Sequence, residues 1–113
     1  MSTLKINRRA LDAIIAGTKT IEVRANTEYG KYNLGPVTFV ADDRSVKCNI
    51  VRITWYSNVR GLLTEEGVER TLSSYVPGSV DPMEDGVKSI ESIGNYKSII
   101  AERGVFALEL ELI

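Results

Sequence analysis

The sequence predicts an α+β fold, mainly β: a small, curled, mostly antiparallel sheet flanked by helices. Three observations carry this expectation. Several segments alternate apolar and polar residues with the period of two that a half-buried strand requires. One of them, over residues 45–58, changes the parity of its alternation partway, as a bulged and bending strand does. Beside these segments lie stretches of helical period with recognisable caps. At 113 residues, one domain spanning 1–113 is expected.

The elements follow in order. "TLKI" at 3–6 reads as a short first strand. Asn7 is placed to cap a helix over 8–16, with Ala10, Leu11, Ile14 and Ile15 on one face. Gly17 stands where a helix ends in the left-handed region. "KTIEVRAN" is then a half-buried strand, Ile21 and Val23 facing inward and Thr20, Glu22 and Arg24 outward. Residues 27–35 form a polar loop with Tyr29 and Tyr32. "PVTFVADD" is a strand that turns near Asp42–Arg44 into the long strand. There Val46, Cys48 and Ile50 share one parity and Val51, Ile53 and Trp55 the other, which places a bulge near Ile50.

Helical period takes over at 59–75, with Leu62, Leu63, Val68 and Leu72 apolar and a break near Gly67. A loop follows. Asp81, Pro82 and Glu84 are the start signal of a further helix, which buries Val87 and Ile90. After Gly94–Asn95 a short helix sets Tyr96, Ile99, Ile100 and Arg103 on one stripe and ends at Gly104. "VFALELELI" closes as an alternating strand: Phe106, Leu108, Leu110 and Leu112 inward, Ala107, Glu109 and Glu111 outward.

Composition narrows the chemistry. There is no histidine, which removes the commonest general base and the commonest transition-metal ligand, so no metal is expected. Cys48 is the single cysteine, expected as a small core residue in a reducing compartment. The start reads as a capped helix rather than a signal peptide, and no apolar run is long enough for a membrane span, so a cytoplasmic protein is expected. Asp42–Asp43 reads as a turn and not as a metal site. No glycine-rich phosphate or dinucleotide loop occurs, so no cofactor is expected. The net charge of −1 conceals an asymmetry: residues 1–31 carry +3 and the remainder −4. A polyanion would therefore be drawn to the N-terminal third.

The stretch "GTKTIEVR" at 17–24 holds the sharpest functional signal. Glu22 and Arg24 share a strand face, and Lys19 stands at its mouth. An arginine fork grips a phosphate or a base edge. A glutamate accepts from an exocyclic amine or takes a proton, and a lysine supplies a cation or, once neutral, a nucleophile. The plain alternative is a solvent-face ion pair worth less than about 1 kcal/mol. Tyr29 and Tyr32 are either local core or base-stacking aromatics. Trp55 is expected in the core or as a barrel-end lid, with stacking on a ligand as the alternative. Arg8 and Arg9, unfavourable at a helix N-terminus, either contact phosphate or are solvated. Tyr96 and Arg103 are candidates for the cleft wall.

Gly17, Lys19, Glu22 and Arg24 match the G-x-K-x-x-E-x-R pattern of the ASCH domain at every fixed position, and "YKSIIAERGVFALELEL" resembles that family's C-terminal end. The chain is similar to small single-domain members over essentially its whole length. The resemblance implies a PUA-like curled β-barrel of about five or six strands with flanking helices. It implies a cleft lined by Lys19, Glu22 and Arg24, presented by the Gly17 turn, that takes RNA or a modified nucleoside. One branch of the family hydrolyses N4-acetylcytidine with a lysine, a threonine and a glutamate. Lys19 matches the lysine. Glu22 occupies the threonine position, and Glu65, Glu66 and Glu69 all lie near the glutamate. Three readings stand: RNA or nucleotide binding first, an amidohydrolase on acylated nucleosides second, a protein-interaction module third.

Overall fold

The computed structural model describes residues 2–27, 31–72 and 81–113. Tyr29, the end of the helical stretch expected to 75 and residues 76–80 of the expected loop lie outside the described residues. The strands are β1 (Ser2–Lys5), β2 (Ile21–Ala25), β3 (Gly35–Ala41), β4 (Arg44–Tyr56) and β5 (Val105–Leu112). The helices are α1 (Arg8–Ala16), α2 (Val59–Glu66), α3 (Val68–Thr71), α4 (Pro82–Glu91) and α5 (Tyr96–Arg103). The strands form one curled sheet in the order β1-β3-β4-β5-β2, an α+β, mainly β half-barrel. Its pairings are antiparallel except that β1 runs parallel to β3.

Local chemistry sets the elements. The Asn7 side chain accepts from the Ala10 amide at 2.8 Å and starts α1. Gly17, at φ +83°, ends it in the left-handed region and turns the chain straight into β2. Asp42 takes a positive φ of 53° in the two-residue turn between β3 and β4. Asp81 accepts from the Glu84 amide at 3.0 Å with Pro82 in the first turn of α4. Gly67 separates α2 from α3.

The sheet has a core on each face. On one, Val37, Phe39, Cys48, Ile50, Leu108 and Leu110 pack on Leu11 and Ile14 of α1. On the other, Ile21, Val23, Ala25, Val105 and Ala107 meet Val59, Leu62 and Leu63 of α2 with Ile90 and Ile100 from α4 and α5. Arg24 projects from the α1 face and donates to the Lys5 carbonyl on the opposite edge strand at 2.8 Å. The two edges therefore approach on that side, which makes it the inside of the curl.

The long strand bends as expected. The β4–β5 register slips between Ile50 and Arg52, so Val51 is the extra residue. The slip sends Ile53 and Trp55 inward opposite Leu108 and Phe106, and turns Arg52, Thr54 and Tyr56 toward the helices.

Several expected faces are corrected. β2 is buried on both sides: the face of Glu22 and Arg24, which a half-buried strand would leave wet, lies inside the curl, and α2 and α5 cover the face of Ile21, Val23 and Ala25. Ala107 is fully buried for the same reason, so only the far end of β5 alternates into solvent. Ile15 is exposed on α1, just outside the stripe of Ala10, Leu11 and Ile14. Val51, Trp55 and Leu112 are also exposed: Val51 is bulged out, Trp55 lies at the strand's open end, and Leu112 is past the last covering element. Arg103 faces solvent while Ile100 is buried. Among the described residues no helix is long and apolar enough to cross a membrane.

Gly104 lies under the Trp55 indole. It has φ +83°, and a Cβ there would come within 2.6 Å of the Tyr56 carbonyl oxygen and of the indole Cε2. Gly104→Ala is expected to destabilise the fold by about 2–4 kcal/mol, through backbone strain and the clash with Trp55. Urea titration followed by circular dichroism checks this.

Candidate functional site

Three residues of the "GTKTIEVR" stretch form one buried cluster on the inner face. The α1-to-β2 turn delivers Lys19 to the mouth of β2, and strand period sets Glu22 and Arg24 side by side. Lys19 is 5% exposed and Glu22 7%. A surface ion pair would be far wetter, so the solvent-face alternative does not describe them. Lys19 Nζ donates to the Ile21 carbonyl at 2.5 Å and the Thr71 carbonyl at 2.5 Å, and lies 3.3 Å from Glu22 Oε1. Arg24 Nε donates to Glu22 Oε2 at 2.9 Å, and its Nη2 lies 2.8 Å from the same oxygen. One carboxylate thus stands between two cations, one on each oxygen.

Burial lowers the Lys19 pKa, and Glu22 only partly opposes it. Burial also works against the Arg24 charge, but Glu22, Tyr96 and Tyr32 outweigh it and hold the guanidinium above its ordinary value. Lys19 Nζ is thus held by two carbonyl oxygens and beside the Glu22 carboxylate.

The cluster opens into a cleft of about 380 Å³. Lys19, Glu22 and Arg24 lie on one wall, Lys5 and Asn7 beside the start of α1 on another, and Ile90, Ile93 and Tyr96 from the α4–α5 side on a third. The mixture of an apolar wall with a few convergent polar groups is what a small-ligand site requires. Tyr96 borders the cleft, with burial raising its pKa and Arg24 opposing. Arg8 and Arg9 are exposed and do not line it, and Arg8 pairs with Asp12 at 3.3 Å. Arg103 is also elsewhere. Tyr32 stacks edge-on against Phe106 at 6.3 Å between ring centres. Cys48 is buried in the core. Among the described residues no group of three carboxylates or cysteines is disposed to hold a metal.

None of the three helix glutamates lines the cleft. Glu65 and Glu69 are exposed. Glu66 is buried on the outer face of the sheet. Arg52 Nη1 and Nη2 donate to its two oxygens at 2.9 and 2.6 Å, Arg70 Nη2 at 2.9 Å and the Tyr56 hydroxyl at 2.5 Å. Arg52 Nε also donates to Glu109 at 2.7 Å. These bonds, Arg52's first, hold the Glu66 carboxyl down to about 2 despite its burial. Burial, with the Glu66 bond, pushes Tyr56 up to about 12. This second network escaped the sequence reading. Its signal was present: Glu66 follows Leu62 by four and Leu63 by three residues, so it shares their buried face.

No protein-family model matches the sequence, and no curated protein matches it. Solved structures do. The crystal structure of a hypothetical protein, PH0355, superposes with a TM-score of 0.79 at 24% identity, covering 98% of this chain and 97% of that one. The solution structure of protein PF0455 from Pyrococcus furiosus gives a TM-score of 0.60 at 22% identity, covering 99% and 96%. The likeness is one of fold, over nearly the full length of each small chain.

The Glu66 network sets an acid limit on stability. Its carboxyl falls from an ordinary 4.5 to about 2 on folding, so it stabilises fully above about pH 5. That contribution fades as the pH falls toward about 2. With the arginine partners partly in water, it amounts to about 2 kcal/mol. Glu66→Gln is expected to lose this at neutral pH and to flatten the acid limb, as read by urea midpoints between pH 7 and 3.

Proposed function

We propose that the chain is an ASCH-type, PUA-like domain that binds single-stranded RNA or a nucleotide-like ligand in the cleft beside Lys19, Glu22 and Arg24. The supporting observation is the cluster itself: two cations against one carboxylate, buried, bordering an open cleft with an apolar wall. The cluster keeps one net positive charge, and Lys5 adds another at the rim, which favours an anion. Glu22 and the Lys5 carbonyl hold the Arg24 fork by its Nε and Nη2 edges. With Nε and Nη2 engaged in this way the guanidinium is fixed in place, and Nη1 is the nitrogen that would meet a phosphate or base edge. Tyr96 and Ile93 offer apolar surface to a base.

Binding accounts for this arrangement better than hydrolysis does. The helix glutamates are turned away from the cleft, which leaves Glu22 as the carboxylate among the described cleft residues. Gly17 serves the site by the turn that presents Lys19. The acidic total charge favours selective over nonspecific RNA binding, because nonspecific affinity grows with the number of phosphates neutralised.

Arg24→Lys keeps the charge and removes the fork. It is expected to weaken binding of ribonucleoside monophosphates or short single-stranded RNA by about tenfold, the value of one charge-assisted hydrogen bond set. Calorimetric titration at low and moderate salt reads this. Equal affinity in wild type and variant overturns the cleft assignment. Incubation with N4-acetylcytidine and chromatography of the products separates binding from turnover, and a deacylated product lost in Lys19→Ala would restore the hydrolase reading.

A further inference from the structure

The inner face of the sheet carries an aromatic row that runs away from the cleft. Arg24 on β2 pairs in register with Phe106 on β5, and Phe106 pairs with Trp55 on β4. The three residues therefore lie side by side on one face. Tyr32 meets Phe106 edge-on and sits close enough to Arg24 to feel its charge. At the far end Trp55 is 53% exposed, two inter-strand spacings or about 10 Å from Arg24.

Trp55 is exposed yet held. Its Nε1 donates to the Arg103 carbonyl at 2.9 Å, and Asn26 donates to the same oxygen at 3.1 Å. Gly104 leaves room for the indole against the backbone. A large aromatic ring on the surface, fixed by a hydrogen bond and by a glycine that admits it, is a rigid platform. Two cations stand near the row: Arg103 bonds the Thr27 carbonyl at 3.2 Å, and Lys31 lies 5.7 Å from the centre of the Tyr32 ring.

We infer that Trp55 is a second contact point, a stacking platform for an unpaired base of a single-stranded nucleic acid whose neighbouring nucleotide occupies the cleft. This rests on the cleft being a nucleotide site. The charge and the continuity of the row favour that occupant over an apolar protein segment. Cations near a row of rings that ends in an exposed one suit a phosphate backbone with a base turned onto that last ring. A strand binding in this manner engages Arg24 and Trp55 together, and a duplex, with its bases paired and stacked, does not.

Trp55 is the chain's only tryptophan, so its fluorescence reports the platform directly. The test titrates wild type, Trp55→Ala, Trp55→Phe and Arg24→Lys with a short mixed-sequence single-stranded RNA, reading fluorescence in the proteins that keep Trp55 and anisotropy of labelled RNA in all. Quenching in the wild type is expected, with affinity reduced about 5- to 100-fold in Trp55→Ala, the range one stacked base supplies, and largely kept in Trp55→Phe. Arg24→Lys is expected to weaken the same binding. Binding lost in Arg24→Lys but equal in Trp55→Ala, without quenching, overturns the platform and leaves the cleft. Weakening in Trp55→Ala alone overturns the shared path. No binding, or equal quenching by a duplex of the same sequence, also overturns it. Quenching in the wild type keeps the test decisive if a variant fails to fold.

Discussion

The structure hangs on one buried carboxylate. Glu22 is withdrawn from water on the inner face of the sheet, which is costly unless both of its oxygens meet charge. Lys19 and Arg24 meet them, and each cation also reaches a backbone carbonyl of another element. Lys19 ties β2 to the end of α3 through Thr71. Arg24 ties it to β1 through Lys5. The second of these ties spans the two open edges of the half-barrel, so a side chain closes the seam that a strand pairing would close in a full barrel. The same three groups form the wall of the cleft. Seam and site are one set of atoms, and a ligand that engages them meets groups whose positions the fold already fixes.

A second carboxylate, Glu66, solves the same problem on the outer face and reaches a different end. It sits at the C-terminus of α2, where the helix dipole is unfavourable to an anion. Two arginines and a tyrosine hydroxyl offset this and lock α2 to β4. Both networks set cations around a carboxylate. The Glu66 one spends its groups between a helix and the sheet. The Glu22 one borders an open cleft, and that difference in surroundings makes it the candidate for ligand chemistry.

The sequence made part of this legible. The spacing of Glu22 and Arg24 fixes a shared strand face, and Asn7 and Gly17 bracket α1 by cap chemistry that depends on neighbours alone. The slip from Ile50 to Val51 marks the bulge because parity is a local count. The partners that make the cluster what it is were not legible. Lys5 and Thr71 contribute carbonyl oxygens, which every residue type carries, so no side chain announces them. Ala107 read as outward because it alternates with leucines, whereas helices packed from distant sequence bury it. Trp55 read as core or lid because large aromatics usually are, and only the tertiary position of Gly104 and Arg103 holds it half in solvent.

The single extra residue at Val51 has a consequence for how such chains vary in length. Before it, the odd and even positions of β4 belong to one pair of faces; after it, they exchange. Arg52 reaches Glu66, and Trp55 looks inward, only because of that one-residue offset. Straightening the strand with Val51 kept would swap the two sets wholesale, setting a guanidinium against Leu108 and an indole against α2, whereas deleting Val51 would leave every later pairing in place. Insertions at the Asp42–Asp43 turn leave this phase untouched. Variation in length should therefore accumulate at the turns, and within β4 the position of Val51 is the place where the loss of one residue keeps both faces in phase.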